Sequence, residues 1–386
     1  MSQLPTVYLD NAATSHPKPE SVYRAVDSAL RRGGSAGRGS HEQGLSAARE
    51  IFSTRELLAE LFQVRASERF IFTANATQGL NQALFGLLDP GDRVVTTSME
   101  HNAVIRPLRW LRDQGIEVVK VGAAGSTGLV TVADIKAACL SAPTRLLVMN
   151  HVSNVFGSVQ PIEDLGRWCR QQDIVFLVDG SQSAGLVPIH LEELQIDLFA
   201  APGHKGLLGP QGTGFLYLRE GIDLRPLVYG GTGANSHSSL QPDMLPERYE
   251  SGTFNIPGLA GLRAALQFLL DTGIEQIHDH ENRLVYRLIT GLAQLDGIQL
   301  YGPSADRPHG SAVSFTLEGN DPATVGHQLD QRRVAVRTGL HCSPDSHRTL
   351  GTFPTGTIRV SPGFFTTDAD IDYFLDQIAS LKAAAI

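Results

Sequence analysis

Apolar runs and amphipathic stretches take turns along the first half of this chain. Runs at 69–73, 94–97, 117–121, 145–149 and 174–178 read as strands. The stretches between them, at 77–88, 103–113, 131–140 and 162–172, have helical texture. Strands separated by helices of that length imply right-handed crossovers and a largely parallel sheet covered on both faces, a doubly wound α/β domain. Two helices precede the series, at 19–31 and 42–62, the second with Leu45, Ile51, Leu58 and Leu61 among its apolar positions, and a short strand lies at 6–9.

Regular patterning lapses between 220 and 257, where 229–239 is almost entirely loop-forming. A different texture follows. Helices at 259–270 and from Ile277 to Leu295, a strand at 311–317, a helix at 322–331 and a strand at 334–336 predict a smaller α+β domain. Residues 16–257 are therefore assigned to the large domain, and 1–15 with 258–386 to the small one. The last helix is predicted to start at a cap formed by Thr367 and Asp370, burying Ile371, Phe374, Leu375, Ile378 and Leu381.

Composition narrows the field. With 42% hydrophobic and 19% charged residues among 386, the chain is an ordinary soluble globular protein. Its net charge of -8 gives no general basic field for nucleic acid or an anionic membrane. The arginine-glycine run at 31–40 is short and lies between two helical patterns, so it reads as a loop. Three cysteines do not make a disulfide framework, which predicts a reducing cytoplasm, and no signal peptide or spanning run is read.

Chemistry concentrates at two predicted strand ends. The apolar run from Ile196 breaks at Pro202-Gly203, delivers His204 and Lys205, and passes into a glycine-rich segment before another strand-like run at 215–218. A lysine so walled has an amine open to desolvation, which lowers its pKa and suits it to a Schiff base. Upstream, the run at 174–178 closes on Asp179 and Gln182. A lysine and a carboxylate leaving neighbouring strand ends meet the needs of pyridoxal phosphate: one holds the aldehyde carbon, the other keeps the pyridine nitrogen protonated. Ala76 and Thr77 lie in a small-residue turn at a predicted helix start, where free amides and the helix dipole favour a phosphate, although taken alone the turn reads equally as an ordinary helix cap. His101 follows another strand end, where it can lie flat over a ring or serve the structure alone.

Taken together, YLDNAAT, EHNAV, HVSNVFGS, VDGSQS, GHK, RYESGTFN and VRTGLHC occur in the order and spacing of class V aminotransferase-fold enzymes, and the chain resembles the cysteine desulfurases, the SUF-type and NifS-like group above all. The resemblance spans nearly the whole chain. It implies fold type I of the pyridoxal phosphate enzymes, a homodimer, and removal of sulfur from L-cysteine with formation of alanine. It further implies that Lys205 links the cofactor, Asp179 pairs with the ring nitrogen, Gln182 and Asn154 serve the ring oxygen, and His101 stacks on the ring. Thr77 and His204 become phosphate ligands, with Thr253 reaching the phosphate of the neighbouring subunit. Arg359 clamps the substrate carboxylate, with Arg337 and His41 also on the substrate side. The chain departs from the family at Pro202, where a Ser or Thr usually bonds the phosphate, and at Leu340, where many SUF-type members have a second histidine.

The same resemblance makes Cys342 the persulfide-forming cysteine and sets His341 beside it to manage protons. Its surroundings agree, since Arg337 and His341 precede the thiol and a turn-rich segment follows, which predicts an exposed, mobile and locally cationic site. Cys139 and Cys169 fall within predicted helices and read as packing residues. No metal is expected, because His341, Cys342 and His347 have no fourth ligand nearby. A sulfur-acceptor protein is the implied partner, with iron-sulfur cluster assembly one destination. Selenocysteine lyase or cysteine/cystine C-S lyase activity is the neighbouring alternative, in which Cys342 is dispensable. A non-catalytic protein keeping the fold for binding is the remote one.

Overall fold

The computed structural model describes residues 6–37, 40–233 and 237–383. Arg38 and Gly39 of the arginine-glycine run, and 234–236 of the loop-forming stretch, lie outside the described residues. Strand β1 (Val7–Tyr8) leads through helices α1 (Glu20–Arg32) and α2 (Glu42–Leu61) into the expected alternation. That series is β2 (Phe70–Thr73), α3 (Ala76–Leu87), β3 (Arg93–Thr97), α4 (Asn102–Asp113), β4 (Glu117–Val121), α5 (Val132–Leu140), β5 (Leu146–Asn150), α6 (Glu163–Gln171), β6 (Val175–Asp179), β7 (Leu198–Pro202) and β8 (Gly214–Leu218). Strands β2 to β8 form one seven-stranded sheet in the order β2-β8-β7-β6-β5-β3-β4. All its neighbours are parallel except the pairs β8 makes with β7 and β2, so β8 alone runs against the rest. The carboxyl ends of β2, β3, β5, β6 and β7 therefore share one edge, where open parallel sheets bind ligands.

Both faces of this sheet are dry. On one, Phe62, Phe70, Phe199 and Phe215 interlock with ring centroids between 5.4 and 6.1 Å apart. On the other, Ile71, Val94, Leu146 and Leu198 pack against Leu80, Leu84, Val104 and Leu108 of α3 and α4. The irregular stretch before residue 256 is fastened by a buried ion pair. Arg55 of α2 donates both terminal nitrogens to Glu250, at 2.8 and 2.9 Å, and Glu250 also accepts the Phe72 amide at 2.6 Å.

Beyond it, α7 (Ile256–Thr272) lies along α1 and α2. The chain then runs through α8 (Ile274–Ala293), β9 (Ile298–Tyr301), β10 (Val313–Leu317), α9 (Pro322–Gln331), β11 (Val334–Ala335), β12 (Arg337–Gly339), α10 (Pro344–Thr349), β13 (Thr357–Val360) and α11 (Asp368–Ala383). Strands β12, β13, β10 and β9 make an antiparallel sheet in that order. Its core sets Phe315, Ile358 and Val360 against Leu284, Leu288 and Leu292 of α8 and Ile371, Phe374 and Ile378 of α11. Strand β1 pairs parallel with β11, which carries Leu9 into this second core. At α11 the expected cap is reciprocal: the Thr367 hydroxyl accepts from the Asp370 amide at 3.2 Å, and the Asp370 carboxylate accepts from the Thr367 amide at 2.8 Å. Among the described residues no helix is long and apolar enough to cross a membrane.

Candidate active site

After β7 the backbone folds back on itself. The Gly203 amide donates to Thr213 O at 2.8 Å, the Gly209 amide to Gly203 O at 2.7 Å, and the Leu208 amide to Lys205 O at 2.8 Å. A side chain at 203 would run into the Thr213 hydroxyl, and one at 180 into the Phe199 ring, so close approach requires glycine at both strand ends. These turns present Lys205 and Asp179 to one cavity of about 180 Å³. Ala76 and Thr77 from the first turn of α3, His101 from the end of β3, and Asn150, Asn154, Gln182 and His204 line the same space.

The environment sets each charge. Desolvation draws the Lys205 amine down to about 8; the Asp179 carboxylate opposes this, while Arg359 and Arg337 reinforce it. Burial likewise brings His101 and His204 to about 4, so both rings are neutral near pH 7. His101 caps α4, its Nδ1 accepting from the Ala103 amide at 3.0 Å, which leaves the ring proton on Nε2. Asp179 accepts from the Ser181 amide through Oδ1 at 2.9 Å, keeping Oδ2 for another donor. Asn75, one residue before α3, caps that helix by accepting from the Gln78 amide, and the next two residues face the cavity.

Cys342 is exposed and stands on a left-handed turn, with φ of 47° at His341 and 61° at Cys342. The turn is tied down. Asn102 at the start of α4 donates its amide to Cys342 O at 2.8 Å, and Asn154 donates Nδ2 to His341 O at 2.7 Å while its Oδ1 accepts from the Ser343 hydroxyl at 2.8 Å. Cys342 and His101 border one open groove, which also holds Thr77. Arg359 is fully buried behind them: Nη1 donates to Asn154 O at 2.8 Å, Nη2 pairs with Asp10 at 2.7 Å, and Nε has no partner. Arg337 is its cross-strand neighbour.

Several sequence expectations need correction. His341 adds no positive charge beside the thiol, because burial holds its ring well below its ordinary pKa; Arg337 and Arg359 supply the local cations. The Cys342 segment is tethered on both sides rather than loose. The Asn154 amide is committed to that tether, so a single N–H remains for the cavity. Within one chain His41 does not line the Lys205 cavity; Thr253, expected at the neighbouring subunit's phosphate, is outside it as well, which leaves that expectation untouched. His41 caps α2 by accepting from the Gly44 amide, and Thr253 lines a neighbouring hollow with Thr73, Ala74 and Gln78.

Sequence reasoning also passed over residues that matter to the geometry. Glu100, beside His101, is completely buried, accepts from Thr97 Oγ1 at 2.5 Å, and has its carboxyl pushed up to about 8 by desolvation. Its place in the EHNA motif was the available signal. Asn150, opposite Asp179 in the sheet, gave none.

The donor set matches pyridoxal phosphate. His204 Nδ1 and Asn150 Oδ1 are buried without partners, a carboxylate oxygen stands ready for a ring N–H, and α3 offers first-turn amides to an anion. Comparison with known proteins agrees with this geometry. The family model for class-V aminotransferases matches residues 7–374. A probable cysteine desulfurase of Methanothermobacter thermautotrophicus is 33% identical, over 97% of this chain and 95% of its own. The apo structure of a cysteine desulfurase from Thermococcus onnurineus superimposes with a TM-score of 0.90 at 32% identity, covering 97% of this chain and 94% of that one. The cysteine desulfurase CsdA of Escherichia coli, solved as the S-sulfonic acid, gives 0.88 at 26%, covering 98% and 95%. With a fold, a lysine–carboxylate cavity and near full-length likeness all in accord, the chain belongs to the cysteine desulfurases of the class-V aminotransferase family.

Proposed function

We propose that this protein takes sulfur from L-cysteine with pyridoxal phosphate as coenzyme, releases alanine, and holds the sulfur as a persulfide on Cys342 for an acceptor. The observation that carries this is an exposed thiol next to the cavity of a buried lysine: Cys342 shares its groove with Thr77 and His101, and both of these also line the Lys205 cavity.

The coenzyme, when bound, supplies an electron sink for the pair left at the substrate's Cα. Lys205 would hold it by its amine, Asp179 by the ring nitrogen, and His101 by the ring face. His204 and the start of α3, with Thr77, would receive the phosphate, and Gln182 and the remaining Asn154 N–H the ring-oxygen side. With Pro202 unable to donate, His204 takes a larger share. Lys205, brought to about 8, is fit to remove and return a proton near neutral pH. Arg359, held by Asp10 and by the Asn154 carbonyl, keeps Nε for the substrate carboxylate. The Cys342 thiolate attacks the substrate sulfur; an S–S bond forms as Cβ–S breaks, and the bonding pair stays with the carbon skeleton, which takes up protons to become alanine. His341, neutral and with Nδ1 unpartnered, is the base in this neighbourhood, while His101, its Nδ1 engaged by the Ala103 amide, offers the proton on Nε2.

We also read the protein as a homodimer in which Thr253 and His41 serve the neighbouring subunit's site. Exposed apolar side chains at Phe52, Tyr229, Leu240 and Met244 support this. This chemistry requires an acceptor for the sulfur, which we read as a small sulfur-carrier protein in the cytoplasm, with iron-sulfur cluster assembly one use. The test is mass spectrometry of the holoenzyme after incubation with L-cysteine. One added sulfur is expected on the peptide bearing Cys342 and none in Cys342→Ala, whose alanine production with cysteine should fall to background. Cysteine cleavage undiminished in that variant would replace this reading with a C-S lyase.

A further inference from the structure

The segment 10–18 touches the site at three points. Asp10 pairs with Arg359, Ala12 O accepts from Gln182 Nε2 at 2.9 Å, and the end of the segment closes on the carbonyl just before Lys205. Four donors converge on that carbonyl, His204 O: the Ser15 amide at 3.0 Å, Thr14 Oγ1 at 3.1 Å, Ser15 Oγ at 3.2 Å and Lys18 Nζ at 2.8 Å. A carbonyl oxygen has two lone pairs, so this one is oversubscribed, and the charged donor is the strongest of the four.

Lys18 is unusual in its own right. Its half-buried ammonium donates to Ser15 Oγ at 2.6 Å and to His204 O, with no carboxylate in ion-pair reach among the described residues. Burial lowers it to about 8. A desolvated cation without a counter-ion is costly, and only its two neutral acceptors offset that here. Both lie on the turn that carries the cofactor lysine or on the strap that grips it.

We propose that Lys18 is a positioning residue for Lys205: its ammonium clamps the His204 carbonyl, locking the peptide that joins the phosphate-side histidine to the reactive amine. Preorganisation at this peptide fixes the direction in which Lys205 leaves the turn, and it aims the His204 ring into the cavity at the same time. Loss of the clamp therefore slows covalent capture of the coenzyme without removing any group that touches it.

This inference rests on Lys205 being the coenzyme lysine, and the experiment separates the two. Cofactor-free wild type, Lys18→Met and Lys18→Arg are mixed with pyridoxal phosphate, and growth of the visible band of the lysine-bound coenzyme is followed. In that reaction the amine adds to the aldehyde carbon and one water leaves; borohydride then reduces the C=N bond, and peptide mapping locates the tag. Lys18→Met should capture about ten-fold more slowly or more weakly, the worth of one charge-assisted hydrogen bond. Lys18→Arg, which keeps the charge and the donors, should recover most of the loss. Capture by Lys18→Met at the wild-type rate, or equal impairment of both variants, overturns the proposal. Should Lys18→Met not fold, Ser15→Ala removes the ammonium's other partner and should lower capture about three-fold; wild-type capture there overturns it equally. A tag on a lysine other than 205 instead overturns the assignment of the coenzyme lysine.

Discussion

A single buried carboxyl gives the clearest pH signature. Glu281 on α8 is buried, and desolvation alone pushes it up to about 8. An unfolded glutamate titrates near ~4.3, so between that pH and about 8 the native chain binds more protons than the unfolded one. Stability then falls as pH rises through the window, by up to about 1.4 kcal/mol per unit from this group alone. Glu281→Gln should be indistinguishable from wild type at low pH and should gain on it steadily towards pH ~8, read as urea midpoints across that range. Parallel curves for the two proteins would refute the assignment. Sequence reading gave no hint of Glu281, because a charged residue at one helical position signals exposure unless its neighbours are known. Lys205, Asp179 and Cys342 were legible for the opposite reason: each stands where an apolar or regular run breaks, and the break itself is informative.

At the scale of elements, the parallel sheet was readable because the period changes at every boundary and the turns are written in glycine, proline and aspartate. Strands β9, β12 and β13 were not. Strand β12 is three residues long, and β13 spends a central position on Arg359, a charge in a fully buried place that local patterning takes as a loop. The cap of α11 was readable from two residues, and it supports a quantitative expectation. Thr367→Ala removes the hydroxyl that accepts from the Asp370 amide and donates to the Asp370 carboxylate. The cost should be about 1 kcal/mol in denaturant unfolding with persulfide formation unchanged. A loss of activity larger than the loss of stability would place α11 in the catalytic machinery, contrary to the present assignment.

For the molecule as a whole, two cores are joined by a chain that crosses between them at both ends. Strand β1 and Leu9 sit with the small antiparallel sheet, the next few residues grip Gln182 and His204 O on the large one, and α8 returns to the small core. The site lies where they meet, so its groups come from both sheets. Association of two copies should complete it. Sedimentation at micromolar concentration should show a dimer, and Met244→Asp, at an exposed apolar position, should shift it towards monomer while emptying the site of coenzyme. A monomer with full persulfide formation would remove Thr253 and His41 from the scheme.

The tie between Asn102 and Cys342 O has a bearing on how sulfur can leave. His101 and Asn102 open the same helix, so the thiol is moored to the helix whose cap lines the coenzyme cavity. A backbone held in that way makes the Cys342 turn a jetty, not a ferry. On the proposed function, an acceptor has to berth alongside this turn rather than wait for it to swing out.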